Sequence, residues 1–122
     1  MALSWFAISA HPALSQAVGS EMPARLAVFL DCGSCDETFI RQEMTYLDYV
    51  RDREVADVHV LVTQQNTGAG GRAQTFDLIG QGPFEGMDVS TVYTTNVDAT
   101  AAEERDGFAR TLEAILVPYL MG

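Results

Sequence analysis

The alternation of apolar and polar residues predicts four β-strands along the chain. Residues 26–31 (LAVFLD) form an almost continuous apolar run, which is typical of a strand buried on both faces. Residues 58–63 alternate, so that three valines line one face while His59 and Leu61 line the other. Residues 75–79 (TFDLI) and 89–95 (VSTVYTT) complete the set, and the latter is rich in residues of high strand propensity.

Two stretches carry the spacing of amphipathic helices. Ser34 with Glu37 forms a capping-box pattern, which predicts a helix over residues 35–51. Thr100 with Glu103 repeats that pattern before a second helix that runs to the end of the chain. The apolar faces of the two helices are predicted from Ile40, Met44, Leu47 and Val50 in the first and Phe108, Leu112, Ile115 and Tyr119 in the second.

The order β-α-β-β-β-α predicts the α/β class. A right-handed crossover through the first helix makes the first two strands parallel, and the last three strands follow as a meander. Two helices on one face of a four-stranded mixed sheet give a two-layer sandwich.

Composition narrows the range of functions. The chain has 122 residues, the size of a single domain, and its net charge is −10. All its basic residues are arginines, so lysine chemistry is excluded, including Schiff bases and the P-loop lysine. The negative charge also argues against nucleic acid and anionic membrane surfaces as partners. We expect no direct insertion of this domain into a membrane.

The first 24 residues differ from the rest and are interpreted as a signal-like segment or a flexible arm. Residues 3–10 are apolar, and Ser15 and Ala17 suit a signal-peptidase site, although no basic residue precedes Arg25. The alternative is an arm that covers part of the domain. We expect residues 25–122 to form one α/β domain, and the abrupt ends suit one domain of a longer protein.

The pair Cys32 and Cys35 is the most informative motif, because it forms a C-x-x-C sequence where a strand meets a helix. In an exported protein this pair favours a structural disulfide that stiffens the turn. A redox pair is the first alternative, since a helix N-terminus stabilises a thiolate, although neighbouring carboxylates oppose it. A metal site is the second, and it would need ligands such as His59 or His11.

Three further features are candidate sites: a glycine-rich loop, a histidine beside an aspartate, and a set of arginines. The glycine-rich loop of residues 66–72 (NTGAGGR) lacks the features of a phosphate-binding loop and is interpreted as a flexible strand connection. His59 and Asp57 share a strand face, but a half-buried strand histidine is favoured over a catalytic base. The candidate partner contacts are Arg72, Arg51 and Arg53.

Several strings carry a resemblance to a known group of proteins. They are VFLDCGSCD at residues 28–36, FIRQE at 39–43, YVRDR at 49–53, DVHVLVT at 57–63, and NTGAGG followed by TFDLIGQG. Over residues 25–120 the chain resembles largely uncharacterised bacterial envelope proteins. In that group the domain follows a signal peptide and precedes a region that looks like an outer-membrane β-barrel. The element order is also similar to the N-terminal domain of the Tol-Pal translocation protein, a periplasmic protein-interaction module.

These observations together predict a non-catalytic, periplasmic protein-interaction or scaffold domain of a bacterial envelope protein. Its expected partner is another protein or a companion β-barrel region, and no cofactor or metal is expected. The alternative is a thiol-disulfide oxidoreductase in which Cys32 attacks and Cys35 resolves.

Overall fold

A computed structural model describes residues 25–121. The signal-like segment, including Ser15, Ala17 and His11, lies outside the described residues.

A single mixed β-sheet forms the centre of the domain. It has five strands in the order β2-β1-β3-β4-β5, where the sequence predicted four. Strand β1 is parallel to both β2 and β3. The sequence predicted the parallel pair β1 and β3 from the crossover through the first helix. Strands β3, β4 and β5 form the predicted antiparallel meander. The strands are β1 (Ala27–Cys32), β2 (Asp48–Tyr49), β3 (Val58–Asn66), β4 (Arg72–Gly80) and β5 (Asp88–Thr95).

The additional strand β2 replaces the second half of the first predicted helix. Helix α1 spans Glu37–Glu43 and ends at Met44, whose backbone leaves the helical region at φ −123° and ψ 71°. The chain then pairs with β1, because the Asp48 N–H donates to the Leu26 carbonyl and the Val50 N–H to the Val28 carbonyl. The predicted helix over residues 35–51 is therefore wrong beyond Glu43, since pairing with β1 outweighs the helical spacing.

The start of α1 also differs from the predicted capping box. The side chain of Asp36, and not that of Ser34, caps the helix by accepting from the Phe39 N–H at 3.0 Å. Ser34 instead donates its hydroxyl to Gln64 Oε1 at 2.7 Å, which ties the turn to β3.

Helix α2 (Ala101–Met121) begins as predicted. The Thr100 hydroxyl accepts from the Glu103 N–H, and the Glu103 carboxylate accepts from the Thr100 N–H, so the capping box is confirmed. Pro118 lies inside the last turns of the helix.

Both helices pack on one face of the sheet, which we name the covered face. Val58 and Val60 of β3 are fully buried there, and Phe76 of β4 stacks on Phe108 of α2 at a ring distance of 4.8 Å. Ile40 brings α1 into the same cluster. The opposite face, named the open face, carries the alternate residues of the same strands, and among residues 25–121 no helix joins a core there. Its large apolar members are Phe29, Leu61, Ile79 and Val92.

Candidate functional site

The cysteine pair lies where β1 ends and the turn to α1 begins. The Cys32 and Cys35 sulfur atoms are within disulfide distance, with the Cα atoms 5.6 Å apart. Both side chains are half-buried, while Gly33 and Ser34 between them are exposed. Cys32 stands opposite Val62 in the parallel register, so the bridge belongs to the covered face. This geometry is that of a closed four-residue turn.

A cleft of about 200 Å³ opens beside the bridge, and Cys35 forms part of its wall. It lies above the far ends of β3 and β4, and residues of both helices line it, including Phe39 of α1 and Phe108 of α2. Gln64 and Gln74 face each other across these strands and supply amide groups to the cleft. The sequence did not point to either glutamine, because only the hairpin register brings them together.

The charges in the cleft are paired with one another. Arg72 lies 3.6 Å from Glu104, and Arg105 lies 3.7 Å from Asp36 while its guanidinium stacks 4.5 Å above the Phe39 ring. Two cations are thus matched by two carboxylates at the wall. Such a cleft offers hydrogen-bonding groups and has no strong electrostatic preference for anions or for cations.

The environment of Cys35 bears on the redox alternative. A helix N-terminus stabilises a thiolate when its free N–H groups and dipole point at the sulfur. Here the Asp36 carboxylate accepts from the Phe39 N–H at the start of α1. A negative charge next to the cysteine opposes a second one on its sulfur. The geometry therefore supports a structural bridge better than an activated thiolate.

His59 is a strand histidine, as predicted, but it is buried and not half-buried, with its side chain on the open face. Its Nε2 atom is 3.1 Å from Asp31 Oδ2, and its ring contacts Phe29 edge-on at 5.2 Å. The suspected pairing with Asp57 is wrong, because the Asp57 carboxylate accepts from the Ala27 N–H at 2.9 Å. The sequence analysis did not identify Asp31 as the partner of His59. In the pairing of β1 with β3, His59 lies opposite Phe29, and Asp31 lies two residues further along β1 on the same face.

The metal alternative finds no assembled ligand set in the described part of the chain. No group of three or more His, Cys, Asp or Glu side chains within residues 25–121 is placed to hold an ion. His59 and the cysteine bridge lie on opposite faces of the sheet, because Cys32 pairs with Val62 while His59 alternates with the valines. His59 therefore does not complete a site with the pair.

The glycine-rich loop is shorter than predicted and is held at both ends. Asn66 and Arg72 belong to the flanking strands, and the loop closes through a bond from the Thr67 N–H to the Gly71 carbonyl at 2.9 Å. A Cβ atom added at Gly71 would collide with the Thr95 carbonyl oxygen. Glycine is required there because the loop packs directly on the backbone of β5, which explains the loop without a ligand.

The three arginines proposed as partner contacts do not form one surface. Arg53 lies in the 3₁₀ turn before β3, where its carbonyl accepts from Gln81 beyond the end of β4. Arg51 is exposed two residues earlier. Arg72 begins β4, opposite Asn66 at the far end of β3. The first two arginines and the third therefore stand at opposite ends of the sheet.

Tyrosine hydroxyls connect the elements of the covered face. Tyr49 donates to the Met44 carbonyl at 2.8 Å, Tyr119 donates to the Met87 carbonyl at 2.5 Å, and Tyr46 donates to the Glu113 carboxylate of α2 at 2.8 Å. Burial raises the pKa of Tyr49 and of Tyr119. Burial, followed by the bond to Glu113, raises the pKa of Tyr46 to about 12.

Comparisons with known proteins return no match: no family model, no curated protein and no solved structure is significantly similar to this chain. Within the described residues, no helix has the length and apolar character needed to cross a membrane. The functional argument therefore rests on the geometry of the domain.

Proposed function

We propose that the domain is a non-catalytic protein-interaction or scaffold domain of an exported bacterial envelope protein. The observation that carries this proposal is the open face of the sheet. Ile79 is 37% exposed and Val92 is 55% exposed there, in a chain whose net charge is −10. Phe29 and Leu61 lie between polar residues on the same face and are only half-buried. Apolar side chains that a sheet face leaves exposed among polar groups are available for contact with another protein.

The polar residues of the open face indicate the chemistry of the partner. Asp31, Asp77 and Asp88 lie among the apolar residues, and Ser90 donates to Asp77 at 2.8 Å. An interface of this composition fits a partner with an apolar centre and basic residues around it. The structured backbone beneath the face would hold these groups in place, which reduces the entropy lost on binding.

The cysteine bridge supports export. A disulfide persists in the periplasm and outside the cell, whereas the cytosol keeps thiols reduced. The signal-like residues 1–24 and the resemblance to envelope proteins favour the same compartment. These points support the proposal of a periplasmic domain, with another protein or a companion β-barrel region as its partner.

Site-specific photo-crosslinking tests the interaction surface. A benzophenone amino acid is introduced at Leu61, in the middle of the open face, and the protein is expressed in bacteria and irradiated in intact cells. The matched control carries the same group at Val117, which is exposed on α2. The proposal expects a discrete adduct from position 61 and none from position 117. Equal labelling at both positions, or none at either, contradicts it.

The mass of the exported protein, measured without reductant, tests the compartment. Cleavage after Ala17 and a loss of two protons relative to the reduced form are both expected. An intact chain with two free thiols would contradict export.

A thiol-disulfide oxidoreductase is the second candidate, because the half-buried bridge lines an open cleft. The test is the reduction of insulin by dithiothreitol, with the protein and its Cys32→Ala variant as catalysts. No acceleration is expected. Turnover that disappears in the Cys32→Ala variant would overturn the non-catalytic proposal in favour of this one.

A further inference from the structure

The two edges of the sheet are very different. At one edge, β2 has only two residues, so it presents almost no backbone for further pairing. At the other edge, β5 extends over eight residues and pairs only with β4 within the described chain. Proteins usually protect a long edge strand with lysine, proline or a bulge. Residues 89–95 contain neither proline nor any charged side chain, although 20% of the whole chain is charged.

The hydrogen-bond pattern of the neighbouring strand identifies which groups of β5 are free. The Gln81 N–H donates to the Asp57 carbonyl and the Gly80 N–H to the Asp88 carboxylate, so odd-numbered residues of β4 point to β3 and even-numbered ones to β5. The even-numbered residues of β4 stand opposite the odd-numbered residues of β5. We name Val89, Thr91 and Tyr93 the inward set, because their backbone groups pair with β4. We name Ser90, Val92 and Thr94 the outward set, because their N–H and C=O groups face away from the sheet.

We infer that the β5 edge pairs with the β5 edge of a second copy of this chain, antiparallel and around a two-fold axis at Val92. In this register Val92 faces Val92 of the other copy and Ser90 faces Thr94, so the outward set meets the outward set. Asp88 faces Asn96 and not a second carboxylate. This pairing rests on β5 and does not require the proposed binding of another protein.

The self-complementary register favours a second copy as the occupant, and charge favours this edge as the place where two copies meet. Two chains of net charge −10 repel each other, and the repulsion is smallest where neither contributes a charged side chain. The uncharged stretch of β5 meets that condition. A two-fold axis perpendicular to the sheet also keeps the two open faces on the same side, so Val92 on the open face contacts its equivalent and the two faces become continuous.

The short opposite edge explains why the assembly would stop at two copies. A pairing that uses the same surface on both chains is closed, because it leaves no β5 edge free. Since β2 offers only Asp48 and Tyr49, it cannot propagate the sheet into a filament. The result is a ten-stranded sheet with one binding face.

Hydrogen exchange of the full chain, measured residue by residue by NMR at a series of concentrations, tests the pairing. The inward set is expected to be protected at every concentration, since its N–H groups bond to β4. The outward set is expected to exchange rapidly in dilute protein and to become protected as the protein concentration rises. Light scattering on the same samples should show the mass rising from 13.3 kDa to twice that value.

Two substitutions separate an edge contact from contact through the face. Val92→Lys places two like charges opposite each other at the two-fold axis and is expected to weaken association by at least about tenfold. Ile79→Lys adds the same charge to the same face, but on the inner strand β4, and is expected to leave association within about twofold. Both positions are exposed, so the fold should persist, and circular dichroism verifies it.

Three outcomes would overturn the inference. The first is a protein of monomer mass up to millimolar concentration. The second is a dimer in which the outward set stays unprotected. The third is an Ile79→Lys variant that weakens association as strongly as Val92→Lys, which would assign the contact to the open face.

Discussion

The two faces of the sheet are built from the same strands, yet they differ in their side chains and in burial. In β3, Val58 and Val60 are fully buried on the covered face, while Leu61 on the open face is only half-buried. The difference comes from α1 and α2, which pack on the covered face, and from the carboxylates that the open face carries, such as Asp31 and Asp77.

This contrast shows which apolar residues the fold itself uses. On the covered face, valines, Phe76 and Leu78 interlock with both helices, and this packing is where folding free energy is gained. On the open face, Ile79 and Val92 contribute little to that packing because water still reaches them. Apolar side chains that the domain does not bury are those available to a partner.

The largest expected effect comes from truncating one aromatic residue on the covered face. Phe76→Ala should lower the free energy of unfolding by about 3–5 kcal/mol, because Phe76 is fully buried and stacks on Phe108. Leu61→Ala on the open face should cost less, about 1.5 kcal/mol, because that side chain is only half-buried. Urea denaturation monitored by circular dichroism measures both.

Similar losses at the two positions would break the comparison. They would mean that Leu61 contributes as much to the packing of the domain as Phe76 does. A loss confined to Phe76 leaves the open face free for binding.

How far the sequence predicts these faces depends on the range of the interactions involved. The strands with valines at alternate positions were found because period-two patterning is local, and the Thr100–Glu103 box was found because capping spans only three residues. The strand β2 was missed, since its stability comes from pairing with β1, which the spacing of Met44 and Leu47 does not reveal.

The candidate site followed the same rule. The cysteine pair was evident because its two residues are close in sequence. The contact of His59 with Asp31 and the facing of Gln64 and Gln74 depend on strand register, so residue types alone could not identify them. The position of β5 at the edge of the sheet likewise becomes clear only when the strand order is known.

The next largest effect is expected at the end of the sheet, in the glycine-rich loop. Gly71→Ala should destabilise the fold by about 3 kcal/mol, because its Cβ atom would collide with the Thr95 carbonyl and push the hairpin away from β5. Gly68→Ala is the matched control, since its Cβ atom would have no neighbour within 4 Å. Thermal unfolding of the two variants compares them.

Equal stability of Gly71→Ala and Gly68→Ala would show that the loop is not held against β5. The contact between the glycine-rich loop and the Thr95 carbonyl would then contribute little to holding β4 and β5 together.

Removal of the cysteine bridge is expected to have a smaller effect. The Cys32→Ser/Cys35→Ser variant should lose about 2 kcal/mol, because the bridge closes a loop of only four residues. Urea denaturation of the variant should match that of the wild-type protein in reductant. The amide signal of His59 on the open face should stay unchanged, since Cys32 faces the other side. A shifted His59 signal would show that the two faces are coupled at this end.

The smallest effect is a pH dependence from the hydroxyl of Tyr46, which is partly buried and joins the turn after α1 to α2. Tyr46 donates to Glu113 of α2, and its pKa is raised from 10.0 to about 12 in the folded protein. A raised pKa favours the protonated form, so this contribution to stability is complete below pH 10 and is lost as the pH rises through 12. Tyr46→Phe removes that slope, while Tyr93→Phe, on β5, serves as the control. Because Tyr46 is 39% exposed, solvent limits the size of the effect. The measurement is the denaturation midpoint of each protein between pH 8 and 12. An equal fall of the midpoint in the wild-type and Tyr46→Phe proteins would show that this bond does not hold α2 against the β2 side of the sheet.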